Sequence, residues 1–237
     1  MPDFRKSYNF INGEVLLFDK NFDWTSFDLV SKVRNALCRK TGTKKLKVGH
    51  AGTLDPLATG LMILCTGKAT KQIESFQLQE KEYVATLKLG ATTPSFDMET
   101  GEDSQNDFSF VTKELFINAA KKFEGEIEQV PPVFSAVKVK GKRAFEYARN
   151  GESLKLQPKK IVISEIVLIS FQLPTVIIKI VCSKGTYIRS LARDLGVELR
   201  CGAYLTGLKR TRIGDFKIEN AMTVDYFTEN LNLFETN

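Results

Sequence analysis

The 237-residue sequence reads as an α+β protein with a mixed, mainly antiparallel sheet flanked by helices. Two observations carry that reading. Strand-like and helix-like segments follow one another without a regular βαβ rhythm, which disfavours a doubly wound parallel sheet. Apolar residues make up 43% and charged residues 26%, an ordinary globular balance, so there is enough apolar material for a real core and none of the composition of a disordered chain. Neither an internal repeat nor a low-complexity tract interrupts the chain, and residues 1–237 are read as one domain.

The elements follow from local pattern. Residues 14–18 form a short strand. Residues 26–39 carry Val30, Val33 and Leu37 on one helical face, with Ser26 as the expected N-cap. A basic loop and a glycine-rich stretch, residues 49–60, follow. Residues 61–65 are a short apolar strand, 70–76 a short helix, and 82–89 a strand of residues that favour extended backbone. Residues 91–107 are turn-rich and polar and read as a long loop. A helix over 112–123 is closed by Gly125. Pro131 and Pro132 stop regular structure, and residues 133–143 alternate apolar with basic residues around Gly141, as a hairpin would. A short helix over 144–150 ends at Gly151. Strands over 161–171 and 176–182 flank Pro174. A helix over 186–199 and a strand region from 206 to 213 complete the pattern.

Composition excludes several function classes. No apolar run approaches the ~18 residues of a membrane span, and the N-terminal ten residues have no signal-peptide core. Cys38, Cys65, Cys182 and Cys201 lie far apart, which argues against a disulfide framework or zinc site and for a reducing, cytoplasmic setting. A single histidine, His50, removes most histidine-based metal sites and most Ser-His-Asp schemes. Gly60 to Gly67-Lys68 imitates a phosphate loop, but six residues separate the glycines and Ala69 stands where the hydroxyl must be. No metal and no cofactor are therefore expected. The net charge is +6, gathered in three clusters: Arg39, Lys40, Lys44, Lys45 and Lys47; Lys138, Lys140, Lys142 and Arg143; Lys209, Arg210 and Arg212. Any one could be a solvated loop, but together they suit a groove along a phosphate backbone.

Residues 49–60 carry the chemistry. Three glycines allow backbone close to a ligand, and Pro56 biases Asp55 toward extended angles. A carboxylate held there can serve as nucleophile or general base, although a bare Asp-Pro pair equally suits a helix cap. The longer string, GHAGTLDPLATGLMILCTGKATK over residues 49–71, resembles the signature of the TruB family of tRNA pseudouridine synthases. The resemblance continues through Lys81-Glu82-Tyr83, Gln129-Val130-Pro131-Pro132 with Ser135-Ala136 and Lys138, Gly141-Lys142, Tyr147-Ala148-Arg149, residues 182–189, Cys201-Gly202-Ala203 and residues 208–212. It spans roughly residues 12 to 225.

The resemblance implies the pseudouridine synthase fold and isomerisation of the uridine at position 55 of the tRNA T loop, by base flipping and aspartate catalysis without cofactor or metal. Asp55 resembles the catalytic aspartate, Tyr83 the tyrosine that stacks on the flipped base, and Arg189 the arginine that pairs with the aspartate. Stacking on Tyr83 could return ~1–3 kcal/mol of the unstacking cost, and an arginine would hold the aspartate ionised. His50 resembles the residue that fills the gap left by the flipped base. Tyr187 and Leu208 resemble pocket residues. Lys20, counted with His50, Tyr187 and Leu208 as substrate-binding, survives from a Lys-Pro-x-Gly-x-Thr-Ser stretch, here Lys20-Asn21-Phe22-Asp23-Trp24-Thr25-Ser26. The changes at Asn21 and Asp23 predict a looser turn with an acid near the pocket. Residues 130–155 resemble a thumb that closes on the T arm. Many bacterial members continue into a PUA-type domain. Here about a dozen residues follow Asp225, so a stand-alone catalytic domain is expected, acting on tRNA as a monomer with neither membrane nor protein partner. A binding protein that keeps the fold but not the activity is the rival reading. Asp55, Tyr83 and Arg189 together argue against it, because a pure binder need not keep all three. A methyltransferase would need a cofactor-binding glycine loop that is missing.

Overall fold

A computed structural model describes residues 7–139, 141–152 and 154–234. Lys140, counted above in the second basic cluster and inside the thumb-like segment, lies outside the described residues. In chain order the elements are β1 (Val15–Lys20), α1 (Ser26–Thr41), β2 (Val48–His50), β3 (Ala58–Thr66), α2 (Ile73–Leu78), β4 (Lys81–Leu89), β5 (Ala91–Thr92), β6 (Ser104–Gln105), α3 (Lys113–Lys121), β7 (Gly125–Gln129), β8 (Lys138–Val139), β9 (Lys142–Arg143), α4 (Ala144–Arg149), β10 (Lys159–Gln172), β11 (Thr175–Cys182), α5 (Ile188–Glu198), β12 (Ala203–Ile213), β13 (Phe216–Lys217), β14 (Met222–Thr223) and α6 (Val224–Glu229). A 3-10 turn, Gly67–Gln72, leads into α2. The α+β reading holds: β1 pairs parallel with β14, while β1–β3, β2–β3, β7–β10 and β10–β11 are antiparallel.

The chain forms two compact units, Met1–Tyr83 with Lys209–Asn237, and Val84–Leu208. In the first, strands run in the order β14-β1-β3-β12, with β2 also on β3 and β13 on β12. β3 is buried along nearly its whole length, as a central strand covered on both faces must be. β1 alternates half-buried with buried residues, so it shows one face to the core. Phe18, Phe227 and Phe234 are fully buried and meet edge to face, with Phe10 and Tyr8 stacked beside them. The cap of helix α1 lies one residue earlier than expected. Thr25 is the N-cap: its hydroxyl accepts from the Asp28 amide at 3.0 Å, and the Asp28 carboxylate accepts from the Thr25 amide at 2.9 Å. Ser26 is freed for another task, described below.

In the second unit the order is β12-β4-β11-β10-β7. β10 pairs with β7 from Lys159 opposite Gln129 to Ile163 opposite Gly125. Helix α3 is capped by Thr112 and packs Phe116 against Phe171. Residues 91–107 are not one open loop. Ala91 and Thr92 pair with Gln105 and Ser104, and the turn between them is tied by Thr93, Ser95 and Thr100 hydroxyls. Polar side chains supply hydrogen bonds that turn composition alone could not reveal. The expected hairpin around Gly141 is present as the short pair β8–β9. Among the described residues no helix is long and apolar enough to cross a membrane.

Candidate active site

In the first unit the glycine-rich segment is a braced loop, not a helix start. Ala58 donates to the Asp55 carbonyl at 3.1 Å, so Asp55-Pro56-Leu57-Ala58 is a turn, which overturns the helix-cap alternative for Asp55. The residue before it is pinned: the Ser26 hydroxyl donates to the Leu54 carbonyl at 3.0 Å and accepts from the Leu54 amide at 2.9 Å. The residue after it is held as well. The Pro56 carbonyl accepts from the Lys20 ammonium at 3.2 Å and from the Asp23 amide at 3.0 Å. Asp55 itself is half-buried.

Lys20 reaches this position because the antiparallel register sets it opposite Gly60. Its side chain is buried, and its ammonium also donates to the carbonyls of Asn21 and Trp24. Burial lowers its pKa to about 8; the charges of Asp55, Asp23 and Asp28 pull it upward and Arg210 pushes it down. The segment between β1 and α1 is therefore tied down, not loose. Asp23 adopts left-handed backbone, φ 62°, which an aspartate tolerates better than most residues, and its carboxylate feels the Lys20 charge.

Arg210 corrects the sequence reading more sharply. It was counted among phosphate-facing cations, yet it is 1% exposed. Its guanidinium donates to the Leu61 carbonyl at 2.8 Å and the Gly52 carbonyl at 3.1 Å, clasping both ends of the loop. Gly60 permits this approach: a Cβ there would lie 2.3 Å from the Arg210 carbonyl oxygen, and its φ is 107°. His50, at the end of β2 opposite Leu64, is held below its ordinary pKa by burial first and Arg210 second, against a raising contribution from the Gly52 backbone. Burial thus favours its neutral imidazole form. Tyr83 sits on β4 with its side chain buried inward. In the first unit, therefore, Lys20 and His50 both feel the charge of Arg210, and Lys20 also feels that of Asp55.

In the second unit Arg189 occupies the first turn of α5 and is buried. A cation there opposes the helix dipole, so it needs partners. The guanidinium donates to the Phe134 carbonyl at 2.9 Å and the Ser95 carbonyl at 3.4 Å, and lies 3.5 Å from the equally buried Asp97 carboxylate. Tyr187, half-buried, precedes the helix. Its amide donates to the Gln129 side chain at 2.8 Å, and that side chain returns a hydrogen bond to the Tyr187 carbonyl at 3.1 Å. Ser190 donates to the Val130 carbonyl at 2.9 Å. Leu208 lies half-buried on β12.

Sequence reasoning missed Asp97, Ser26 as a loop anchor, and Arg210 as a brace. Asp97 stood in a stretch read only as turn-forming. Ser26 stood beside a better cap. Arg210 stood in a basic run where strand alternation was the sole available signal for burial. Gln129 was quoted as part of a motif without a task. Among the described residues no three His, Cys, Asp or Glu side chains gather as metal ligands.

Comparison with known proteins identifies the family. A family model described as TruB family pseudouridylate synthase (N terminal domain) matches residues 39–188, and one described as tRNA pseudouridylate synthase B C-terminal domain matches residues 189–237. The chain is 59% identical over 221 residues to tRNA pseudouridine synthase B of Phocaeicola vulgatus, covering 93% of this chain and 94% of that protein. It is 48% identical to the protein of the same name from Flavobacterium johnsoniae, covering 94% and 97%. Among solved structures it is similar to a chain of a Cbf5-Nop10-Gar1 complex, with TM-score 0.71 and 29% identity, over 96% of this chain and 59% of that one.

Proposed function

The chain belongs to the TruB family of pseudouridylate synthases, and from that premise we propose that it isomerises the uridine at position 55 of the tRNA T loop to pseudouridine. The observation that carries the catalytic assignment is the fastening of Asp55: Leu54 before it and Pro56 after it are both held by side chains from outside the loop. Preorganisation of this kind is what a positioned catalytic carboxylate needs.

The chemistry balances without redox change. The bond from the ribose C1′ to base N1 breaks, the detached base turns, and a bond from C1′ to C5 forms. N1 gains a proton and C5 loses one to solvent. Asp55 serves as the carboxylate nucleophile, whether it attacks C1′ or the base at C6. Tyr83 stacks on the flipped base, which must leave the helix stack to be reached. Arg189 is the cation that the family resemblance assigns to the catalytic carboxylate, its planar fork suited to holding such a group ionised. Neutral His50 occupies the gap in the RNA, with Tyr187 and Leu208 lining the base pocket. Lys20 holds the loop and lends Asp55 a nearby positive charge. The exposed cations Lys138, Lys142 and Arg143 of the thumb-like segment, residues 130–155, meet phosphates, which position the RNA without specifying it. On this reading the chain acts on tRNA as a monomer without a partner protein.

The test is tritium release from tRNA labelled at uridine C5, using the pure chain in EDTA with no other protein or RNA. Release by the wild type and none above background by Asp55→Asn is the expected result. Equal release by both would remove Asp55 from the mechanism. No release by either, with tRNA still bound, would leave an RNA-binding protein.

A further inference from the structure

We infer that an open, cation-lined cleft after helix α1 holds the phosphodiester backbone of the RNA substrate beyond its reacting nucleotide; this rests on the reading of the chain as a tRNA-modifying enzyme. The cleft encloses about 730 Å³, and Arg34, Asn35, Arg39, Lys44, Lys45 and Lys47 line it, with no carboxylate on its wall. None of these five cations takes part in a salt bridge among the described residues.

The bland explanation is that cations collect at a helix C-terminus to meet its dipole. It accounts for Arg39, which lies in the last turn of α1. It does not reach Arg34, more than a turn earlier, or the three lysines that follow the left-handed cap at Gly42. Those lysines are also held in place. Leu46 is buried between Lys45 and Lys47, so the two flanking side chains face outward, and the Lys47 carbonyl accepts from the Gly67 amide at 2.9 Å. Cations that converge on a concavity without a counter-charge repel one another, and a polyanion relieves that repulsion.

Five cations spread along a cleft fit a run of phosphates better than a single anion. The chain leaves the cleft at Lys47 and enters β2, Val48–His50, which leads directly into the Asp55 loop. An RNA strand whose uridine reacts at that loop has phosphates on both sides of it, and the cleft takes one of these flanks. Such contacts add affinity without reading sequence.

The experiment compares tRNA binding by wild type and by the triple variant Lys44→Gln, Lys45→Gln, Lys47→Gln across a series of salt concentrations. Loss of three phosphate contacts lowers the slope of log affinity against log salt by ~2–3. The loss in kcat/KM for tritium release should be carried by KM. Restoring charge with the three corresponding Lys→Arg changes should bring the slope back, which separates loss of charge from loss of folding. Neutralising Lys113, Lys121 and Lys217 instead should change the slope by less than ~1. An unchanged slope in the first triple variant, or an equal fall in the second, would overturn the proposal. If tritium is released but the slope does not move, the cleft fails and the enzyme assignment stands. If the slope moves but no tritium is released, the cleft stands and the enzyme assignment fails.

Discussion

Lys20 shows how one side chain couples the charge of the site to its shape. Three backbone carbonyls accept from its ammonium, and Asp55 attracts it, while burial lowers its pKa to about 8. It is therefore mostly charged at pH 7 and mostly neutral by pH 9. A neutral amine has two hydrogens to donate instead of three, so the loop loses a tie and Asp55 a neighbouring cation. Activity is expected to fall as pH rises, with a midpoint near 8. The stability effect has the opposite sign. The folded pKa lies below the ordinary value of 10.5, so between about pH 8 and 10.5 the unfolded chain keeps a proton that the folded chain has released. In that window this group makes folding more favourable as pH rises. A pH profile of tritium release beside one of melting temperature separates the two. Lys20→Met should have low activity with no limb near pH 8, and a Met variant that kept the limb would assign it to another group. Arg210 makes the complementary point: a charge clasping two carbonyls beneath the loop is a structural part, whatever its neighbours Lys209 and Arg212 do.

At the scale of elements, the start of α1 divides two tasks between adjacent hydroxyls. Thr25 caps the helix, and Ser26 fastens Leu54 in the catalytic loop. Removing the cap with Thr25→Ala should cost ~1 kcal/mol of stability and leave the turnover of tritium release close to wild type. Ser26→Ala strands a buried amide and carbonyl, a penalty of ~1–3 kcal/mol per group before relaxation. It should also lower kcat, because the residue next to Asp55 loses its anchor. Equal kcat in both variants, measured beside their melting temperatures, would show that the anchor does not matter for chemistry. A serine one residue inside a helix reads as a cap from sequence. Its true partner is 28 residues away, so no local pattern could disclose it.

At the scale of the whole molecule, the first unit is built from both ends of the chain, Met1–Tyr83 and Lys209–Asn237. Phe227 and Phe234, from the last helix and the turn after it, lie fully buried against Phe18 and Phe10. The C-terminal segment is thus part of the core that supports the loop, not an appendage. Phe227→Ala should lower stability by ~3–5 kcal/mol, read as a drop in the chemical-denaturation midpoint; a change below ~1 kcal/mol would mean the segment packs only peripherally. The sequence by itself determined the α+β class, most of the longer strands and helices, and the family motifs that mark Asp55, Tyr83 and Arg189, because periodicity, turn residues and motif spacing are local properties. Only the tertiary structure decided that Ser26 anchors rather than caps, that Arg210 braces rather than binds phosphate, that Asp97 partners Arg189, and that residues 91–107 fold into a tied hairpin. Each depends on burial or on a partner distant in the chain, and pairing between distant residues is set by packing, which a linear pattern does not encode.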